Sequence, residues 1–270
     1  MDVPLSWQLA KLLVSIAIVL GLSVIAERVS TRIAGLLAGY PLGTAIALFF
    51  IGLEISPGFA ADSAVFSLAG FTATLALGAG YLIGGRRDGL RGILGGTACG
   101  MTAWLLASLL LTRVDFTRLS GTLTTLVAIG AFTWLYRHLP DTRAAARGGF
   151  RWPALALRAG LATAIVFLIT ALAHLLPASW SGMLAAFPIS MYPLLVILHL
   201  THGAAPAATV IKHYPAGLGA LLCYTLCVSL TYPSLGLATG TLAGFGVATL
   251  WLLGWTRLQT WHARRALAGT

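Results

Sequence analysis

Among the ionisable side chains, Lys11, Glu54, Asp62, Arg158, His199, His202 and Lys212 lie in or beside long apolar runs. A charge in hydrocarbon is costly, so each is a candidate for function before it is one for structure. Glu54 and Asp62 flank the end of one run and are expected to serve as a coupling site or gate, with Asp62 the candidate for proton or cation binding. The plainer reading of Asp62 is a hydrated residue at the rim. Lys11 and Arg158 stand 147 residues apart at matched places in two runs. Snorkelling to headgroups is the default explanation; the functional alternative is that they attract an anion at the two ends of its path. His199, His202, Lys212 and His213 gather near one junction. His199 and His202 share a helix face by spacing, but no carboxylate or thiolate lies close by in sequence to complete a metal set. A cytoplasmic gate or a lipid-facing edge is expected there, and no metal.

A second kind of chemistry comes from the backbone. Gly35-Leu-Leu-Ala-Gly-Tyr-Pro41-Leu42 returns as Gly182-Met-Leu-Ala-Ala-Phe-Pro188-Ile189. Proline in mid-run removes a helical hydrogen bond and breaks or kinks the helix. Two half-helices beginning at Pro41 and Pro188 would present positive dipole ends to a common point, which suits an anionic group. The carbonyls of Leu37 and Leu184 would be freed, and these suit a cation. Gly39, Tyr40, Pro41, Thr44, Phe187, Pro188, Ser190 and Tyr192 are the expected substrate-binding residues. A pair of kinked, closely packed helices with no ligand is the alternative.

Enzyme signatures are missing. The sequence holds no HExxH, GxSxG or GxxxxGK[ST], and no paired acidic motif. It is read as no enzyme, with no cofactor beyond a candidate coupling ion, H+ or Na+. Cys99, Cys223 and Cys227 lie in apolar segments and form neither a CxxC pair nor a disulfide framework.

The elements that must position these groups follow from composition. With 58% hydrophobic and 9% charged residues, the chain is far more apolar than a soluble domain. Runs able to span a bilayer occupy 7–26, 31–53, 58–84, 90–112, 118–136, 153–176, 179–200, 206–230 and 235–256. The first lacks a basic leader and carries Lys11, so it is expected to be retained. Lys and Arg number 17 against 7 Asp and Glu. They fall between the runs, mostly on alternate loops, which implies contact with anionic lipid at a basic inner face and no nucleic-acid partner. The same distribution is expected to put the N-terminus outside and the C-terminus in the cytoplasm; the expected membrane is a bacterial inner membrane.

The 147-residue offset holds without gaps through four successive runs. Ala17-Ile18-Val19 falls on Ala164-Ile165-Val166, Gly70 on Gly217, and Trp104-Leu105-Leu106 on Trp251-Leu252-Leu253. The expected fold is an all-α polytopic membrane protein of nine transmembrane helices. Units 1–112 and 153–260 are joined by a linking helix and basic loop at 113–152 and followed by a tail at 261–270. An odd number of spans between unit starts makes the repeats inverted, as in secondary transporters. The expected function is alternating-access transport of a small anionic organic solute. A lipid flippase or other lipid-handling protein, and a non-transporting scaffold, are the alternatives. A homo-oligomer is compatible with either.

Overall fold

The computed structural model describes residues 7–9, 11–14, 16–17, 31–142 and 152–268, with backbone alone at 32, 152–155, 158 and 258–268. Residues 7–9, 11–14 and 16–17 are helical and form the N-terminal segment. Beyond it the described residues form ten helices: α1 (Thr31–Ala38), α2 (Leu42–Glu54), α3 (Pro57–Gly84), α4 (Gly89–Leu111), α5 (Arg118–Tyr136), α6 (Trp152–Ala173), α7 (Ala178–Ala185), α8 (Met191–His202), α9 (Ala204–Leu235) and α10 (Leu237–Ala268). There is no strand among the described residues.

Among the described residues six helical stretches are long and apolar enough to cross a membrane: Ile33–Glu54, which takes in most of α1 and all of α2, Pro57–Gly84, Gly89–Leu111, Arg118–Tyr136, Ala204–Leu235 and Leu237–Arg257. Ala159–Ala173 and Met191–His202 are shorter apolar helices. Helices α4, α5 and α10 carry exposed Leu94, Leu110, Leu119, Val127, Leu242 and Leu250 on their outer faces. Apolar side chains both inside and outside a helical bundle fit lipid as solvent. Two boundaries differ from the hydropathy reading, since α9 continues past 230 to Leu235 and α10 runs to Ala268, through the expected start of a tail.

Local signals explain where the helices begin. Ser56 Oγ accepts from the Phe59 amide at 3.1 Å and Pro57 opens α3, a cap followed by a residue that lacks the orphan N–H. Thr117 and Ser120 form a reciprocal capping box at the start of α5. Gly89 and Gly236, 147 residues apart, enter α4 and α10 with positive φ of 75° and 80°.

The length of α9 has a tertiary cause. Pro233 cannot donate to the Ser229 carbonyl four residues back. Arg118 supplies the missing donors instead, its guanidinium reaching the Ser229 carbonyl at 3.0 Å and Oγ at 3.1 Å. We expect Arg118→Ala to cost about 1–2 kcal/mol, as a charged hydrogen bond to a buried carbonyl is lost. Thermal unfolding of the purified protein checks this, and an unchanged midpoint would remove Arg118 from the account of α9.

The buried core runs through α3 and α9, which pack on each other and carry α4 and α10 on their flanks. Helices α1, α2, α7 and α8 lie against them.

Candidate functional site

The second and seventh apolar runs are both interrupted at their prolines. Gly39-Tyr40-Pro41 separates α1 from α2, and Ala186 to Ser190 separates α7 from α8. The two interruptions touch. Ser190 Oγ donates to the Ala38 carbonyl at 3.0 Å, and a Cβ on Gly43 would lie 2.7 Å from the Ile189 Cβ. Pro41, Thr44 and Pro188 are buried at this junction.

The freed carbonyls expected from the sequence do not occur. Leu37 O accepts from the Tyr40 amide and Leu184 O from the Phe187 amide, each at 3.0 Å. A tight three-residue turn closes each half-helix, so the loss of the proline N–H is absorbed locally. Two hydroxyls of α3 serve the next carbonyls: Ser67 donates to Gly182 O at 2.7 Å and Thr74 to Ala186 O at 2.6 Å. Each of these carbonyls therefore already has a hydrogen-bond partner, and none is left bare for a cation.

Tyr40 and Phe187, the aromatic residues before the two prolines, pack on different flanking helices. Tyr40 shares a hydrogen bond with Thr249 of α10 at 2.9 Å and stacks on Phe245. Phe187 meets Trp104 of α4 edge-on, and also Tyr192, whose hydroxyl donates to Thr97 at 3.2 Å. Gly39, Pro41, Thr44, Pro188 and Ser190 thus form the junction, while Tyr40, Phe187 and Tyr192 tie it to the flanking helices.

Close backbone contacts around the breaks come in pairs at the 147-residue offset. A Cβ on Gly35 would sit 2.7 Å from Val210 O and 3.0 Å from the His213 Cβ; one on Gly182 would sit 2.2 Å from Ser63 O and 2.7 Å from the Phe66 Cβ. Subtracting the offset from Val210 and His213 gives Ser63 and Phe66. Likewise Gly39 abuts Gly217 of α9, and Ala186 abuts Gly70 of α3.

A second polar feature is a cavity of about 600 Å³ at the far end of α2, lined by Gln8, Lys11, Glu54, Phe167, Thr170, Ala171, His174 and Leu175. Glu54 lies thirteen residues beyond Pro41, about 20 Å along the helix at 1.5 Å per residue, so cavity and junction are separate places. Lys11 forms an ion pair with Glu54 Oε1 and donates to Thr170 Oγ1 at 2.7 Å. His174 Nε2 donates to Glu54 Oε2 at 3.2 Å. The Lys11 ammonium also lies 5.5 Å from the Phe50 ring centroid and 5.0 Å from that of Phe167. Side-chain exposure is 4% for Lys11, 2% for Glu54 and 30% for His174. Lys11 is thus held inside the protein by a carboxylate, and does not snorkel.

The other expected site residues are dispersed. Asp62 is exposed on α3 and outside the cavity lining. The Arg158 side chain lies outside the described residues. His199 is buried and hydrogen-bonded at both ring nitrogens: its Nε2 donates to Arg87 O at 2.9 Å, which leaves Nδ1 to accept from Tyr81 Oη at 3.0 Å. Beside it, Asp88 Oδ1 accepts from the Ala204 amide at 2.7 Å, across from Gly203 with its φ of 89°. His202 pairs with Thr201 at 2.7 Å. Lys212 donates to Leu139 O at 2.6 Å and pairs with Asp141 at 3.1 Å, where His213 also arrives at 2.8 Å. No group of three or more His, Cys, Asp or Glu residues able to hold a metal occurs among the described residues.

The sequence reading missed His174, Thr170 and Asp141 as partners. His174 had a signal, an ionisable residue near the end of the run at 153–176, the same kind that singled out Lys11. Asp141 lies in a loop, and nothing in its spacing announces Lys212 and His213.

Hydrogen bonds from His213 and then Lys212 hold the Asp141 carboxyl below the ordinary aspartate range. A lowered carboxylate pKa stabilises the fold above the unfolded value of about 4, and that contribution disappears as pH falls through the folded value. Asp141→Asn is therefore expected to melt below the parent at about pH 7, with the gap closing in acid below about pH 4. A gap constant with pH, measured by thermal unfolding, would contradict the ion-pair account.

The chain matches no protein-family model, no curated protein and no solved structure. Its fold defines an all-helical protein with several helices suited to a membrane, and the reading of its function rests on its own geometry.

Proposed function

We propose that the chain is a secondary transporter for a small anionic organic solute, working by alternating access between two inverted units. The observation that carries this reading is the reciprocity of contacts at the breaks. Gly35 and Gly39 of the first half pack on α9, and Gly182 and Ala186 of the second half pack on α3, through partners that differ by the same 147 residues. When i meets j and the equivalent of i meets the equivalent of j, a two-fold relation between the halves is the natural cause. Equal helix entries at Gly89 and Gly236 support the same relation. An odd count of five spans between unit starts makes the axis lie in the membrane plane, and inverted repeats put their substrate at the repeat interface.

In this reading the nine apolar runs span a bacterial inner membrane with the N-terminus outside and the C-terminus in the cytoplasm. The junction of Pro41, Thr44, Pro188 and Ser190 is the central site, closed by the packing of Gly43 on Ile189. The first turns of α2 and α8 supply the positive dipole ends for an anion. The cavity at Lys11 and Glu54 opens on the outer side.

A thermal-stability screen against pooled small organic acids selects the solute, because a ligand that binds the native state raises its apparent stability. Flux of that solute is then measured in proteoliposomes. The double variant Pro41→Ala/Pro188→Ala, which permits continuous helices, is expected to lose about tenfold or more in flux while folding normally. Parental flux in that variant overturns the role given to the breaks.

A further inference from the structure

We propose that the cavity at Lys11 is a binding site for small monocarboxylates with an apolar body, in which the ligand displaces Glu54 from Lys11 and one proton is taken up on His174. The inference deepens the transport reading and rests on it only in treating this cavity as the solute's outer access route.

The cavity has the parts such a ligand needs. One wall is apolar, made by Phe167, Ala171 and Leu175. The Lys11 ammonium has three N–H donors, and Glu54 and Thr170 take two of them among the described residues. Gln8 adds a neutral amide to the lining. A carboxylate is already bound here, namely that of Glu54, so the surroundings of Lys11 are built to hold one. Space of about 600 Å³ beside it accommodates a second.

Charge balance couples the ligand to a proton. In the described structure Lys11 and Glu54 neutralise each other at 4% and 2% exposure. A ligand carboxylate on Lys11 leaves Glu54 without its cation, and an unpaired carboxylate so buried is strongly disfavoured. His174 is already 3.2 Å from Glu54 Oε2 and is the most exposed of the three, at 30%. Taking a proton from the aqueous side, its imidazolium becomes the counter-ion that Glu54 has lost, and the cluster keeps the same total charge with ligand and proton both bound. Around this cluster the N-terminal segment contributes Lys11, α2 contributes Glu54 and the stretch after α6 contributes His174. On α3, packed against α2, Asp62 is exposed and outside the lining. Where α10 meets α2, at Gly52 and Leu237, it offers no titratable side chain.

The probe is benzoate, with benzamide as its uncharged isostere, titrated calorimetrically into the purified full-length protein in detergent. Benzoate is expected to bind at least about tenfold more tightly than benzamide. Its observed heat should change with the protonation enthalpy of the buffer near neutral pH, the mark of proton uptake, and His174→Gln should make that heat independent of buffer. Lys11→Met/Glu54→Gln, which removes both charges together, should weaken benzoate at least about tenfold. Ala171→Phe fills the cavity from an exposed position where folding is not at stake, and should do the same. No benzoate binding, equal binding of benzamide, or parental affinity in Ala171→Phe overturns the inference. Binding that is intact in a protein without flux overturns the transport reading alone.

Discussion

Replacing Lys11 with alanine is expected to destabilise the protein by about 3–5 kcal/mol, the largest single-residue loss we anticipate, because it strands the Glu54 carboxylate in a buried position. The ammonium is flanked by Phe50, Phe167 and Thr170, and the two charged side chains are 4% and 2% exposed, so water entering from the cavity replaces the ammonium only in part. Lys11→Met/Glu54→Gln should recover most of that loss, since neither residue is then charged and the desolvation cost of the pair disappears as well. Unfolding midpoints of the parent, both single variants and the double variant form a cycle. If the double variant is as damaged as Lys11→Ala, the packing of the lysine stem is the dominant contribution and the ion pair is secondary.

Gly182→Ala is the second large effect, an expected loss of about 1–3 kcal/mol from overpacking. The new methyl would lie 2.2 Å from the Ser63 carbonyl oxygen, a backbone atom that moves only if α7 and α3 separate. Gly35→Ala, with 2.7 Å to Val210 O, should show the same sign with a smaller value. Gly130→Ala and Gly160→Ala provide the contrast. Nothing lies within 4 Å of a Cβ at either position, and both are helical, so alanine should stabilise each by about 0.5–1 kcal/mol. Equal shifts at all four glycines, measured by unfolding in one detergent, would show that the close approach of backbones at the breaks has no energetic weight.

How far these features were legible in the sequence depends on the range of the interaction behind them. Proline acts through its own backbone, so the interruptions at Gly39-Tyr40-Pro41 and before Ser190 could be read directly. The fate of the Leu37 and Leu184 carbonyls could not, because a helix end chooses between an open and a tight last turn according to what surrounds it. The length of α9 was hidden for a similar reason: Pro233 reads as a stop, and only the distant Arg118 makes continuation tolerable. At the cavity, Lys11 and Glu54 were each conspicuous as charges in apolar runs, yet they were assigned to different roles. Their pairing spans 43 positions of chain and comes from how α2 and the N-terminal segment are packed. Asp62, equally conspicuous, lies outside the pairing because its place near the start of α3 leaves it exposed.

The turn between α3 and α4 is joined to the turn between α8 and α9 by three hydrogen bonds: Tyr81 to His199, His199 to Arg87 O, and the Ala204 amide to Asp88. At the 147-residue offset Gly52 stands for His199, Ser234 for Arg87 and Leu235 for Asp88, so the ring and the carboxylate that make these bonds have no counterpart at the other end. That end is fastened by other residues, through the Lys11–Glu54 ion pair and the His174–Glu54 hydrogen bond. Parting the turns at Arg87 breaks hydrogen bonds that water can replace, whereas parting the Glu54 end separates two buried charges. The bundle is therefore expected to open at Glu54 only when another charge takes the place of one partner.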